Sequence, residues 1–165
     1  MPRQSRIEQN VLGNLVNAFG PAVAVLNDIH DAFGSPFVSM IANTTLSLLT
    51  MLENVKRNKA ECAQLMADIH GLLYAIINLH LTSETVGSLA PAVLEDIGKF
   101  AQTLQKIHAF FGAQQDGTKI KHFFKQTEMG RLLKECHSGV EQAQGIFQAR
   151  FIAHVSAGSD YFLGV

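Results

Sequence analysis

Apolar residues recur at steps of three and four along most of this chain, and this spacing restricts its fold more than any other feature. Such steps place side chains on one face of an α-helix, whereas a half-buried β-strand needs strict alternation. Hairpin signals are nearly missing, because the one Asp-Gly pair, Asp116-Gly117, stands between two helical patterns. The spacing therefore predicts an all-α protein.

The first two long helical patterns have recognisable starts. Ser35 is placed to cap the first helix, with Pro36 at the first helical position, where its missing N–H costs nothing. Asn58 precedes the second pattern and Glu61 stands three residues later, which is the arrangement of a capping box. These starts, with the second pattern ending near residues 81–83, predict two helices joined by a short connection.

A third pattern begins around Pro91, and a fourth begins near Thr127 and runs to about His154. The apolar stripes of the four helices consist of Phe37, Ile41, Leu48, Leu52 and Val55; Cys62, Leu65, Ile69, Leu72, Ile76 and Leu79; Leu94, Ile97, Ala101, Leu104, His108 and Phe111; and Met129, Leu132, Cys136, Val140, Ala143, Phe147 and Phe151. Helices of roughly 20–25 residues with short connections bury such stripes most simply as an antiparallel four-helix bundle.

Two shorter helical patterns precede the bundle, at residues 7–19 and 22–33. Gly20 and Pro21 separate them, and a proline inside a helix ends or kinks it. We therefore expect one or two additional N-terminal helices. The predicted organisation is an N-terminal helical extension at 1–34, the four-helix bundle at 35–155 and a C-terminal tail at 156–165.

Charged residues make up only 16% of the chain, and the formal net charge is −1. A soluble domain usually has about a quarter of its residues charged, so either the surface is rich in neutral polar groups or part of it is apolar and meets a partner. A nearly neutral chain has no general attraction to nucleic acid. Residues 32–52 carry no charge, but glycine, proline and several polar residues make them a poor membrane-spanning segment.

Patterns typical of catalysis or metal binding are not found in the sequence. None of the seven histidines follows an acidic residue by three positions, and there is no His-x-x-x-His or Cys-x-x-Cys pair. Cys62 and Cys136 fall on apolar stripes and are expected to be buried, unreactive thiols. We expect no enzymatic activity, no metal and no cofactor, and we expect the histidines at helix edges with one ring nitrogen hydrogen-bonded. The N-terminus does not resemble a signal peptide, which favours a cytoplasmic location.

Basic residues cluster in two of the connections between helices. Five of them and only one acid occur from Lys119 to Lys134, and a second cluster surrounds Arg57. In an antiparallel bundle the first and third connections lie at the same end, so the two clusters are predicted to form one positive pole. Such a pole would attract anionic headgroups at about 1 kcal/mol per basic residue, although lysines in turns often serve only solubility. Phe123 and Phe124, among these lysines, are predicted to close the end of the bundle.

The sequence resembles the N-terminal domains of a group of basidiomycete fungal proteins in three stretches, NKAECAQLMADIHGLLYAIINLH, LEDIGKFAQTLQKIHAFFGAQQ and KIKHFFKQTEMGRLLKECHSGVEQAQGIF. Those domains are similar to the four-helix domain of the mixed-lineage kinase domain-like necroptosis effector and, more distantly, to fungal HeLo domains. The resemblance covers residues 36–152 and concerns the overall pattern, without a catalytic motif.

This resemblance implies a non-catalytic signalling module of the cell-death or innate-immunity type, ahead of a nucleotide-binding, repeat or kinase-like region. In the better-known relatives the bundle self-associates, binds anionic phospholipid and permeabilises membrane, which would recruit a cytoplasmic protein to the plasma membrane. A second function stays open, a homotypic or adaptor interaction without a membrane step. Matched onto the two basic connections, the resemblance implies these candidate lipid contacts: Lys56, Arg57, Lys59, Lys119, Lys121 and Lys125.

Overall fold

The structure is a computed structural model, and most of the residues that it describes are helical. It describes the backbone of residues 2–83, 89–115 and 126–163, and the side chains of residue 10 and of residues 13–83, 89–115 and 127–153. The helices are α1 (Pro2–Phe33), α2 (Val38–Asn54), α3 (Lys59–Leu81), α4 (Pro91–Ala113) and α5 (Gln126–Leu163). The described backbone contains no strand, and the predicted all-α class is confirmed. The predictions for Phe123 and Phe124 lie outside the described residues.

The helices enclose a single apolar core. α1 packs on α2 and α3, α2 packs on α4, and both α3 and α4 pack on α5, so the order around the core is α1, α2, α4, α5, α3. Less extensive contacts join α2 to α3 and α3 to α4. The largest fully buried side chains include Phe19 of α1 as well as Phe100, Phe110 and Phe111 of α4. α1 is therefore part of the core and not only an appendage to it.

Helices α4 and α5 run in opposite directions. Lys106 lies 3.7 Å from Glu135 near the end of α4, while the Arg150 guanidinium donates to the Asp96 carboxylate at 2.8 Å near its start. Residue numbers thus rise along one helix as they fall along the other. These two ion pairs fix the register between the helices at both ends of their contact.

Helices α2 and α4, by contrast, run in the same direction. The Gln105 amide donates to the Thr44 hydroxyl at 3.3 Å, and three residues further along both helices the Ser47 hydroxyl lies 3.1 Å from His108 Nε2. Helices α3 and α5 are also parallel, because Glu61 near the start of α3 contacts His137, and the later residues Gly71 to Thr82 line one cavity with Gln144 to Phe151. Helices that are adjacent in sequence therefore alternate in direction, while two of the closest pairs in space are parallel.

α1 is one continuous helix, so the structure has one of the one or two N-terminal helices that were expected, and Pro21 does not divide it. Proline removes one backbone hydrogen bond, in this case the one that the Asn17 carbonyl would accept. Positions 17 and 21 are both exposed, so water can satisfy that carbonyl. The buried side chains on the opposite face of α1 hold the helix against α2 and α3: Phe19, Ala22, Val23, Leu26 and Ile29.

The start of α2 also differs from the prediction. The helix begins at Val38, and its N-cap is Phe37, whose φ of 69° lies in the left-handed region. Ser35 does not cap the helix, because its side chain is buried and its hydroxyl lies 2.9 Å from His80 Nε2. The turn at residues 34–37 divides the uncharged run 32–52, which is therefore not a single helix in this fold.

α3 begins where the sequence predicted, but for another reason. Asn58 has a φ of 52° and makes no capping hydrogen bond with its side chain. Its amide instead donates to Gln114 Oε1 at 2.8 Å, and the Glu61 carboxylate accepts a hydrogen bond from His137 Nε2 at 3.1 Å. The predicted capping box is wrong, because tertiary partners take both of its side chains. α5 is also longer than predicted, since its helical backbone continues beyond His154 to Leu163.

Candidate functional site

The connection between α2 and α3 meets the end of α4 at one end of the molecule. Val55 pairs with Gln115 through the backbone, and the Lys56 N–H donates to the Gln114 carbonyl at 3.0 Å. The Arg57 N–H reaches the same carbonyl at 3.4 Å. We call the end that includes residues 53–61, 111–115 and 128–137 the basic pole. The sequence predicted that these connections share one end, and these contacts bring the described parts of both together.

Gln114 is the residue that links the parts of the basic pole. Its side chain is buried, its Oε1 accepts from the Asn58 amide, and its Nε2 donates to the Phe110 carbonyl at 3.2 Å and lies 3.1 Å from Met129 Sδ. One side chain therefore touches the start of α3, the end of α4 and the first turns of α5. Gln114 could not be identified from the sequence, because a glutamine just after an apolar stripe has no signal that separates it from a solvated one.

The structure describes three of the six predicted lipid contacts. Lys56 and Arg57 are exposed, and both lie in the connection between α2 and α3. Lys59, in the first turn of α3, is half-buried and has an interaction partner. The other three, Lys119, Lys121 and Lys125, lie outside the described residues. They belong to the segment that connects Gln115 to α5, so both of its ends are at the basic pole.

The basic pole contains more acidic residues than the two basic clusters in the sequence suggested. Glu135 immediately follows the predicted cluster, and its carboxylate lies 3.7 Å from Lys106 and 4.0 Å from Arg131. Glu53, Glu61 and Glu128 are exposed as well, so the pole has four exposed acids. Exposed pairs of this kind contribute roughly 0–1 kcal/mol each, so Arg131 remains available to an anion. Lys56, Arg57 and Lys134 are the exposed basic residues of the pole that form no ion pair with another described residue.

α3, which begins at the basic pole, is the one described helix that is long and apolar enough to cross a membrane. The criterion concerns only length and composition, and the core helix of a soluble protein meets it equally well. In this fold 44% of the 18-residue apolar stretch of α3 that meets the criterion is buried inside the protein. α3 could therefore contact the interior of a bilayer only if the helices packed around it moved away.

A second surface feature lies between α3 and α5, toward the opposite end of the molecule. α3 contributes residues from Gly71 to Thr82 and α5 contributes residues from Gln144 to Phe151, around an open cavity of about 370 Å³. No residue that lines this α3–α5 groove is charged. The side chains of Leu81 and Ile152 beside it are 68% and 56% exposed. The groove is therefore an uncharged, largely apolar surface without a partner in the described part of the chain.

Phe151, at one end of the groove, is 51% exposed, although its place on the fourth stripe predicted a core position. Phe147, one turn earlier, is buried and its ring meets Phe100 edge-on at 6.3 Å between centroids. α3 ends at Leu81, so α5 has no further residue of that helix beside it after Phe151. The apolar stripe of α5 is thus longer than the core that it covers.

Four of the five histidines whose side chains are described form a hydrogen bond to another part of the chain, whereas Nδ1 of the fifth, His30, is buried without a hydrogen-bond partner. His80 is buried, its Nδ1 donates to the Ile76 carbonyl at 2.9 Å, and in the neutral ring its Nε2 accepts from Ser35. His70 donates to the Ala18 carbonyl at 3.1 Å. The Ser35–His80 pair has the atoms of a nucleophile and a base, but burial of both side chains keeps substrates away. No group of three potential metal ligands occurs among the described residues.

The two cysteines lie in the core between α3 and α5. Burial raises the pKa of the Cys62 thiol to about 12, and it raises the pKa of the Cys136 thiol to about 11. The thiolate is the reactive form of cysteine, so both side chains are protonated and unreactive near neutral pH. Their role in this fold is apolar packing.

No protein-family model matches this chain, and no curated protein or solved structure is detectably similar to it. The fold and its surfaces define an all-α protein of five packed helices with a basic pole and an apolar groove. The resemblance to the fungal domains is carried by the sequence pattern alone.

Proposed function

We propose that this protein is a non-catalytic signalling module of the cell-death or innate-immunity type, which self-associates and binds anionic membranes through the basic pole. In this proposal α2–α5 constitute the antiparallel four-helix bundle of the fungal and necroptosis-effector domains, and α1 is the additional N-terminal helix. The alternation of direction along the chain supports that arrangement. The contacts of α1 with α2 and α3 make it a fifth helix around the same core.

The observation that carries the proposal is the meeting of the two basic connections at Val55 and Gln115. It brings the exposed Lys56 and Arg57 to Gln115, after which the sequence continues to Lys119, Lys121 and Lys125, and we propose that these three lysines belong to the same pole. Charges that lie within roughly 10 Å, the Debye length at 0.1 M salt, act together on one anionic surface. Each basic residue near a membrane that contains phosphatidylserine contributes about 1 kcal/mol, so Lys56 and Arg57 together would contribute about 2 kcal/mol at low salt.

Membrane permeabilisation would need a second step after this electrostatic docking. α3 starts at the basic pole and has the length and composition of a spanning helix, but its apolar face is covered by α1 and α5. Release of α1 would uncover that face toward the bilayer. Docking and permeabilisation are therefore separable events, and only docking depends directly on the lysines.

Flotation with phosphatidylserine-containing liposomes tests the docking step. Arg57→Glu removes one attraction and adds one repulsion, so we expect binding to weaken by about tenfold or more at low salt. Lys99→Glu is the matched control, because Lys99 is exposed, changes the net charge equally and lies on α4 about 22 Å from Gln114. Binding of the control protein should stay near that of the wild type.

Two results would contradict the membrane proposal. One is the absence of salt-sensitive binding to anionic liposomes by the wild-type protein. The other is an equal loss of binding by Arg57→Glu and Lys99→Glu, which would indicate a general charge effect and not a pole. Dye release from the same liposomes then reports separately on permeabilisation.

A second candidate function is a homotypic or adaptor interaction without a membrane step. The uncharged α3–α5 groove with the exposed Leu81, Phe151 and Ile152 favours it, because apolar aromatic surfaces of this kind are typical of protein interfaces. The two candidates use opposite ends of the molecule. Charge reversal at Arg57 would leave an adaptor interaction through the groove intact.

A further inference from the structure

The α3–α5 groove has the size of a small-molecule site. Its volume of about 370 Å³ lies within the roughly 300–1,000 Å³ that is typical of ligand pockets. Eleven described residues line it, whereas a standard protein–protein interface takes about 20–30 residues from each partner. From Gly71 to Thr82 the groove extends about 16 Å along α3. These dimensions suit a small, elongated molecule better than a second protein.

Aromatic side chains on both walls of the groove are held in place by the rings behind them. On α3 the Tyr74 ring meets His70 edge-on at 5.0 Å between centroids, and His70 in turn meets Phe19 of α1 at 5.1 Å. On α5 the buried Phe147 is held by its edge-on contact with Phe100. A ligand therefore meets walls that are already ordered, and this lowers the entropy cost of binding.

The polar groups of the groove carry no charge. The carboxamides of Asn78, Gln144 and Gln148 are exposed at its rim, and none of them forms a hydrogen bond with another described residue. A carboxamide both donates and accepts, so these groups match a hydroxyl, amide or ester of a ligand. Arg150, further along α5, is bound to Asp96 on α4. An ionised head group therefore finds no counter-charge in the groove.

We infer that the α3–α5 groove binds a small, uncharged and mainly apolar molecule. Its apolar part lies against Ala75, Leu79 and Phe147, and its polar end meets the carboxamides at the rim. The site lies away from the basic pole, so its occupancy does not depend on membrane docking. An adaptor interaction through the same groove would compete with this ligand, because one occupant excludes the other.

Gly71→Leu tests the site while leaving every described contact of the fold in place. Gly71 lines the groove, and a Cβ atom there would meet no neighbouring atom within 4 Å, so a leucine side chain can extend into the groove and take up part of its volume. Leucine also favours a helical backbone more than glycine does, so a loss of binding cannot be assigned to unfolding. Gly130→Leu is the matched control, because Gly130 is exposed, has equally open space and lies on α5 about 21 Å before Gln144.

The fluorescence of N-phenyl-1-naphthylamine, an uncharged dye that brightens in apolar surroundings, measures occupancy of the groove. We expect the wild type and Gly130→Leu to bind the dye equally, and Gly71→Leu to bind it about tenfold more weakly or less, because the added side chain occupies the site. 1-Decanol should displace the dye. Decanoate has the same chain length and an ionised head group, and it should displace the dye about tenfold less well, because its carboxylate loses hydration without gaining a partner.

The proposal is overturned if the wild type does not bind the dye, if Gly71→Leu binds it as well as Gly130→Leu does, or if decanoate displaces it as well as 1-decanol does. A wild type that releases the dye as it self-associates at micromolar concentration would overturn it in favour of a second copy of the chain as the occupant. Arg57→Glu should bind the dye as the wild type does. Failure of this site and failure of membrane docking are therefore distinguishable.

Discussion

At the scale of single residues, two similar serine–histidine pairs occupy opposite environments. Ser35 contacts His80 at 2.9 Å in the core, and both side chains are buried. Ser47 contacts His108 at 3.1 Å at the surface. The bond lengths are nearly equal, so burial alone distinguishes the energetic importance of the two pairs.

We predict that Ser35→Ala lowers the free energy of unfolding by about 1–3 kcal/mol, because it leaves His80 Nε2 buried without a hydrogen-bond donor. Ser47→Ala should change the free energy by less than about 0.5 kcal/mol, since water replaces the serine at His108. Urea unfolding monitored by circular dichroism measures the free energy of unfolding of both variants, with their m-values compared. If Ser35→Ala had an effect as small as that expected of Ser47→Ala, the buried pair would not be a stabilising contact.

The start of α3 could be predicted from the sequence, but the hydrogen-bond partners of the side chains there could not. The start of α3 was predicted correctly at Asn58, yet the reason was wrong, because Asn58 and Glu61 bond to Gln114 and His137 and not to the helix end. Local sequence gives the boundary, since polar and apolar spacing changes there. It cannot reveal that a residue 56 positions away offers a better partner.

At the scale of helices, the α4–α5 contact depends on a position without a side chain. A Cβ atom at Gly139 would lie 2.6 Å from both Oγ1 and Cγ2 of Thr103 on α4, closer than nonbonded atoms approach. Thr103 is β-branched and has few alternative rotamers, so the helices themselves would have to separate. Gly145, on the same helix, has open space around it.

We expect Gly139→Ala to destabilise the protein by about 1–3 kcal/mol through overpacking. Gly145→Ala should stabilise it by roughly 0.5–1 kcal/mol, because alanine loses less conformational entropy in a helix. Thermal and urea unfolding of the two variants should therefore shift in opposite directions. A stabilising effect at both positions would contradict the close α4–α5 approach.

Helix existence could be predicted from the periodicity of this sequence, but helix packing could not. The stripes identified α2 to α5, but Pro21 left open whether one or two helices precede them. α1 stays continuous because the loss of one exposed hydrogen bond is outweighed by burial on the opposite face. The pattern on α5 marked Phe151 as core although α3 ends beside it. Periodicity reports that a helix has an apolar face, and not what covers that face.

At the scale of the whole molecule, α1 decides whether the remaining helices can stand alone. It packs between α2 and α3, which contact each other less extensively than either contacts α1. Its buried face includes Phe19, Val23, Leu26 and Ile29. Burial of each such side chain contributes about 1.5–3 kcal/mol, so the four together are comparable with the roughly 5–15 kcal/mol net stability of a typical domain.

We therefore predict that a shortened chain of residues 35–165 does not fold cooperatively, although the sequence suggested an independent bundle at 35–155. It should keep helical far-ultraviolet dichroism, bind the dye ANS strongly and show a broad urea transition, as expected when the cover of α2 and α3 is removed. A chain of residues 10–165 is the control, because it retains the buried face of α1 and should unfold in one sharp transition. Sharp, reversible unfolding of 35–165 would instead establish residues 1–34 as a separable extension, and release of α1 would then be inexpensive enough to serve as the step that uncovers α3 at a membrane.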